Sequence, residues 1–123
     1  MINLKNKTFT IMSTLKNNVQ LIGRLGNNPE VKNFESGKKL ATFSLATNEV
    51  YFNNKGEKVE DTQWHNIVVW GKKAEIVEKY LKKGSEIALQ GKLINRSYEV
   101  EGAKKYITEI SLNELLMTDK KVD

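Results

Sequence analysis

The chain has no cysteine, one histidine and one proline in 123 residues. Without cysteine there is no disulfide framework, no thiol nucleophile and no thiolate metal ligand. That absence fits an intracellular protein. The lone His65 cannot build a metal site, and no serine or acid is placed by sequence to form a triad with it. His65 reads instead as a hydrogen-bonded core or subunit-interface residue. The carboxylates are scattered, and no pair has a spacing that implies acid/base work. Gly23-Arg24-Leu25-Gly26 lacks the glycine spacing and the lysine of a phosphate loop. Its glycines suit strand bending in a small barrel. No apolar run approaches a membrane span, and the opening MINLKNKTFTIMST has no apolar stretch long enough for a signal peptide. There is no internal repeat and no low-complexity tail. No cofactor, no metal and no membrane partner are expected, and the location expected is cytoplasmic, at the nucleoid.

What is present fits one domain with one modest core, since 39% of the residues are hydrophobic. So small a domain buries a lesser share of its surface, which makes association a natural source of stability. The net charge is +5 and the pI about 9.3, which favours a polyanionic partner. Residues 1–11 hold Lys5 and Lys7 and no acid, so of 20 basic residues 18 remain against 15 acidic ones, or +3. Where the basic residues sit therefore matters more than their sum.

Both tryptophans lie in Thr62-Gln63-Trp64-His65-Asn66-Ile67-Val68-Val69-Trp70-Gly71-Lys72. Six residues apart, they share one face of a strand. The pair Lys72 and Lys73 follows at once. Two flat π-surfaces beside lysines suit the stacking of unpaired bases with phosphates held between. The competing reading is that they fill a core. Against it, Ile67 and Val69 on the opposite face can supply the interior, while Thr62 and Asn66 on the tryptophan face are poor core residues.

Residues 1–14 read as a flexible arm, or as a short added strand in which Phe9 and Ile11 alternate with Thr8 and Thr10. Met12-Ser13-Thr14 looks like a second start, which would make residues 1–11 an upstream extension. Alternation of Val19, Leu21, Gly23 and Leu25 with Asn18, Gln20, Ile22 and Arg24 predicts a first strand with one buried face. Gly26-Asn27-Asn28-Pro29 breaks it, and Val31 is placed to resume pairing. Ser36-Gly37 turns the chain. A second strand is predicted from about Leu40 to Phe52, with Ala41, Phe43, Leu45 and Thr47 on one face. Asn53-Asn54-Lys55-Gly56 is a hairpin loop, and the third strand runs from about Thr62 to Trp70. Ala74, Val77 and Leu81 then recur at helical spacing. Lys82 and Lys83 suit the helix's negative end, and Gly84 its left-handed terminating position. Ile87, Leu89, Gly91 and Leu93 mark a fourth strand. Glu101-Gly102-Ala103 turns the chain, and Tyr106 to Leu112 is a fifth. The prediction is all-β: a five-stranded OB-fold barrel with one helix between strands 3 and 4 and extended hairpin loops. The domain is expected over residues 15–117, followed by a short tail over 118–123.

Asn18-Val19-Gln20-Leu21-Ile22-Gly23-Arg24-Leu25-Gly26-Asn27-Asn28-Pro29-Glu30-Val31 resembles the opening of bacterial single-stranded DNA-binding proteins. Phe43-Ser44-Leu45-Ala46-Thr47-Asn48-Glu49 is similar to their second strand. Thr62-Gln63-Trp64-His65 with Val69-Trp70-Gly71-Lys72 looks like their third. Ala74-Glu75 through Tyr80-Leu81-Lys82-Lys83-Gly84-Ser85 resembles their helix and its exit. The resemblance spans about Lys16 to Leu115. It implies the OB barrel, a homotetramer, and sequence-independent binding of single-stranded DNA in replication, recombination and repair. It carries DNA-stacking roles to Trp64, to Trp70 where phenylalanine is usual, and to Tyr51 and Tyr98 where other members have tryptophan. The family's linker rich in Gly, Pro and Gln and its acidic tip are absent from Thr118-Asp119-Lys120-Lys121-Val122-Asp123, so recruitment of replication enzymes through such a tip is not expected.

Other candidates come from the residues themselves. Tyr98 shares a strand face with Lys92, Ile94 and Arg96, a basic ladder ending in an aromatic. The alternative is a solvated hairpin edge. Arg24 and Arg96, the only arginines, suit phosphate contact and base stacking, although Arg24 equally reads as an ordinary surface charge. Lys72, Lys73 and either Lys104 or Lys105 are the expected phosphate contacts. Rival functions are an interaction adaptor that touches DNA weakly and an RNA binder, since stacking does not read the 2′-hydroxyl. A hydrolase on the same scaffold lacks any catalytic constellation.

Overall fold

The computed structural model describes residues 15–118. The arm expected over 1–14 and the tail beyond Thr118 lie outside the described residues. The described residues form six strands: β1 (Val19–Leu25), β2 (Glu30–Asn33), β3 (Lys39–Phe52), β4 (Lys58–Trp70), β5 (Glu86–Val100) and β6 (Ala103–Met117). The helix α1 spans Lys72–Tyr80, between β4 and β5. Strand order is β1-β5-β6-β4-β3-β2, and an additional β1–β3 pairing closes five of the six strands into a barrel. Closure rests on Arg24 opposite Ala46 and Leu25 opposite Leu45. Gly23 stands beside that seam, where a Cβ would strike the Ala46 carbonyl oxygen. A bare backbone there lets β1 and β3 meet, a close approach rather than the strand bending expected of the glycines. The short β2 pairs with β3 alone and stays outside the closed ring.

The barrel fills from one face of each strand. Ala41, Phe43 and Leu45 of β3, Ile67 and Val69 of β4, Ile87 and Leu89 of β5, and Ile110 and Leu112 of β6 are all buried in one cluster. Burying each large side chain among them contributes about 1.5–3 kcal/mol. The helix adds Ala74, Val77 and Leu81 to that cluster, the helical spacing read from the sequence. Lys39 Nζ donates to Glu78 Oε1 at 2.7 Å and ties α1 to the start of β3. That hydrogen bond holds the Lys39 ammonium above its ordinary pKa.

Gly84 corrects one sequence reading. The helix ends at Leu81 in extended conformation, and Gly84 takes its positive φ of 89° three residues later. It belongs to the turn closed by Ser85 N–H donating to Lys82 O, and its own N–H donates to Leu25 O. The left-handed geometry is as expected, but it serves the return to β1 rather than the helix cap.

Two hairpins project beyond the core. β3 pairs with β4 without interruption from Leu40 opposite Trp70 to Phe52 opposite Lys58. β5 and β6 pair as far as Val100 opposite Ala103, with only Glu101 and Gly102 between them. β3 ends at Phe52 as predicted, whereas β4 and β6 begin before the strands predicted, because their outer residues are mostly exposed on both faces and carry no apolar alternation. Pairing in β5–β6 steps from Gly91 opposite Leu112 to Gln90 opposite Glu114. Asn113 is the extra residue, and this bulge exchanges the inward and outward faces of β6.

Candidate nucleic-acid interface

Trp64, Asn66, Val68 and Trp70 alternate along the outer face of β4, while Ile67 and Val69 fill the barrel behind them. Trp64 is 62% exposed and Trp70 49%. The interior was completed without them, so their apolar area faces solvent. At about 3.3 Å per residue the two indoles stand about 20 Å apart along the strand.

Each indole is seated. Trp64 lies across Gly26, where a Cβ would collide with its six-membered ring. Gly26 is held by its N–H donating to Ser44 O at 2.9 Å. Asn27 Oδ1 accepts from both Ser44 N–H at 2.9 Å and Ser44 Oγ at 2.8 Å, fixing the same turn. Trp70 is stacked by Phe34 from the β2–β3 turn. No periodicity marks Phe34, and sequence reasoning passed over it.

Between the indoles a cleft of about 390 Å³ opens toward β5 and β6. Ser44, Asn66 and Val68 line one side, and Arg96, Ile107 and Glu109 the other. Arg96 Nε donates to Glu109 Oε1 at 2.6 Å and Nη2 to Oε2 at 2.9 Å. These hydrogen bonds raise the guanidinium above its already high pKa. Sequence reasoning missed Glu109, although its outward position between Ile107 and Ser111 in an alternating strand was a usable signal.

The other sequence candidates fall into three groups. Lys92 and Tyr98 share the outer face of β5 with Arg96, and Lys105 stands opposite Tyr98 on β6. All three are exposed beside the cleft. Lys104 lies on the opposite face of the hairpin, with Nζ 5.6 Å from the Tyr106 ring. Arg24 shares an outer-face row with Ala46 and Trp64. It donates from Nη1 to Gly84 O at 2.9 Å and approaches Glu86 at 3.5 Å, so it also braces the turn after α1.

Three candidates stand away from the cleft. Tyr51 is exposed on the β3–β4 arm, but pairs with Val59 on the pleat face opposite to Trp64 and Trp70. Lys73 contacts Glu114 at 3.4 Å, and Lys72 is exposed in the first turn of α1. His65 is half-buried with Nε2 3.0 Å from Thr47 Oγ1, the hydrogen-bonded setting expected for it.

A closed barrel with aromatic platforms on its outer wall has close relatives. Residues 16–118 match the single-strand binding protein family. The chain belongs to that family. It is 44% identical over 107 residues to "Single-stranded DNA-binding protein 1" of Chlorobaculum tepidum, covering 85% of this chain and 66% of that protein. It is 42% identical over 102 residues to the single-stranded DNA-binding protein of Neisseria meningitidis serogroup A, covering 82% of this chain and 59% of that protein. A solved Plasmodium falciparum SSB complex with ssDNA superposes with a TM-score of 0.76 at 40% identity, covering 84% of this chain and 95% of that one. This family member thus spans about three-fifths to two-thirds of those two curated relatives. The OB barrel predicted from strand order is the family's fold as well as the one observed. No helix among the described residues is long and apolar enough to cross a membrane.

Proposed function

We propose that this chain binds single-stranded DNA without sequence preference and coats it during replication, recombination and repair in the cytoplasm. The observation that carries this reading is the pair of seated, solvent-facing indoles at Trp64 and Trp70, outside a core already filled. Base–aromatic stacking contributes about 1–3 kcal/mol per base and tolerates any sequence, because every base has a π-face. Arg96, Tyr98, Lys92 and Lys105 extend the track along β5 and β6. Arg24, Lys72, Lys73 and Tyr51 lie farther along the path of a wrapped strand. The DNA held by the Plasmodium falciparum relative supports the same ligand here. The action is occupancy rather than catalysis: bound bases cannot re-pair, and bound phosphates are shielded from nucleases. No cofactor is needed.

Assembly as a homotetramer belongs to the same proposal. Ile22 of β1 and Leu116 of β6 are each 66% exposed. With Gln20, Ala88, Gln90 and Glu114 they line a shallow depression of about 590 Å³ on the barrel wall. The bulge at Asn113 turns Leu116 outward onto that wall, and a second copy of the chain is the occupant proposed. Titration of the protein with oligo-dT, followed by tryptophan fluorescence and light scattering, tests both parts. Quenching with a saturable endpoint and a tetramer mass are expected. No quenching and no binding would remove the DNA reading, and a concentration-independent monomer would remove the assembly.

A further inference from the structure

Arg96 and Glu109 form a closed pair on the wall of the cleft between the tryptophans. Both oxygens of Glu109 are taken by one guanidinium, at 2.6 and 2.9 Å. The acid is only 8% exposed, whereas the arginine side chain is 57% exposed. The carboxylate therefore sits beneath and the guanidinium lies over it, with Nη1 turned away from the fork. A buried acid is an odd neighbour for a phosphate site, because it opposes the charge an arginine would supply there.

We propose that Glu109 is a positioning residue that holds Arg96 as a fixed, charge-balanced platform. Arg96 then meets the strand through its flat face and its remaining N–H groups, and adds nothing to the counterions released on binding. The proposal rests on the reading of this chain as a single-stranded DNA-binding protein. Counterion release scales with the number of phosphates neutralised by net positive charge. An ion pair of zero net charge contributes none. A planar guanidinium still stacks, which an ammonium cannot imitate, and its remaining N–H groups still donate hydrogen bonds. Pinning it beforehand reduces the side-chain entropy lost on binding. Tyr98 stands two residues on along the same face, about 6.6 Å by strand rise, so ring and guanidinium form consecutive stations.

The test is the salt dependence of oligo-dT binding. For Glu109→Gln, which keeps an oxygen acceptor for Arg96 but removes the balancing charge, the slope of log K against log salt should steepen by about 0.7. Binding should tighten at low salt. An unchanged slope in the folded variant would overturn the proposal. The double variant Arg96→Gln with Glu109→Gln removes both charges, and guards against a single variant that does not fold. It should keep the wild-type slope while losing about tenfold in affinity, the value of one stacked group. A slope shallower by about 0.7 would mean that Arg96 acts as an unbalanced cation in the wild type, and would overturn the proposal. Failure of the wild type to bind oligo-dT at all is a separate result. It removes the DNA reading and the proposal with it.

Discussion

Phe34 stacks on Trp70 with ring centroids 5.8 Å apart and planes 26° from parallel. The turn that carries Phe34 is closed by its own backbone, with Phe34 N–H donating to Lys38 O and Gly37 N–H donating to Phe34 O, both at 2.9 Å. The short β2 is outside the barrel, yet its hairpin delivers the ring that backs Trp70. One face of the indole is thereby covered, while the residue stays half-exposed to solvent.

Phe34→Ala should weaken oligo-dT binding through Trp70 without touching the core. Aromatic pairs contribute about 0.5–1.5 kcal/mol beyond their buried area, so a loss of that order is expected, smaller than that from Trp70→Ala. The unliganded emission should shift to the red as Trp70 becomes more exposed. Unchanged emission and affinity would mean the stack does not organise the platform.

Trp64→Ala and Trp70→Ala should each cost about 1–3 kcal/mol of binding. Melting temperatures should stay near wild type, because Ile67 and Val69 fill the interior from the other face. Normal binding with early melting in both variants would return the tryptophans to the core.

Gly26→Ala should move Trp64. A Cβ there meets the indole and comes within 2.8 Å of Ser44 Oγ. The indole has solvent to move into, so the fold should survive while binding falls toward the level of Trp64→Ala. Wild-type affinity in this variant would show that the seat of Trp64 on Gly26 is irrelevant to binding.

The alternation of Ala41-Phe43-Leu45 and of Ile67-Val69 made the barrel legible, since a half-buried strand repeats every two residues. The helix was legible through Ala74, Val77 and Leu81. The outer ends of β4 and β6 were not, because a ribbon wet on both faces has no apolar face to repeat. Trp64 and Trp70 declared a shared face, and Lys92, Arg96 and Tyr98 another. What could not be read was which faces converge. The partnership of Arg96 with Glu109 and of Trp70 with Phe34 depends on pairing register and on how a turn folds back. The bulge at Asn113, which reassigns Leu116 to the outer wall, left no mark in the composition of β6.

Ile22→Glu or Leu116→Glu should break the proposed assembly while sparing the barrel. Both side chains are exposed in the isolated chain, so a charge there costs the monomer little. Buried against a second copy, an unpaired carboxylate would cost several kcal/mol. Light scattering should then report a smaller species with native circular dichroism. A tetramer unaffected by both substitutions would place the interface elsewhere.

The tip of the β5–β6 hairpin is strained at one residue. Only Glu101 and Gly102 join the strands, with φ of 51° and 78°. Positive φ at both central positions is the requirement of a type I′ turn, for which Asn-Gly is preferred. Glutamate is a poor occupant of the left-handed region, and asparagine a good one. Glu101→Asn should therefore stabilise the domain by about 0.5–1 kcal/mol, or roughly 2–8 °C in melting temperature. Gly102→Val should do the reverse and by more, since a β-branched side chain resists positive φ. Tyr98 lies only three residues before the turn, so the Asn variant is also a probe of the site. A firmer tip should leave oligo-dT affinity equal or slightly higher, because the hairpin arrives better ordered. A lower melting temperature in Glu101→Asn would contradict the left-handed assignment. Weaker DNA binding at unchanged stability would instead mean that the Glu101 side chain itself takes part in the path of the strand.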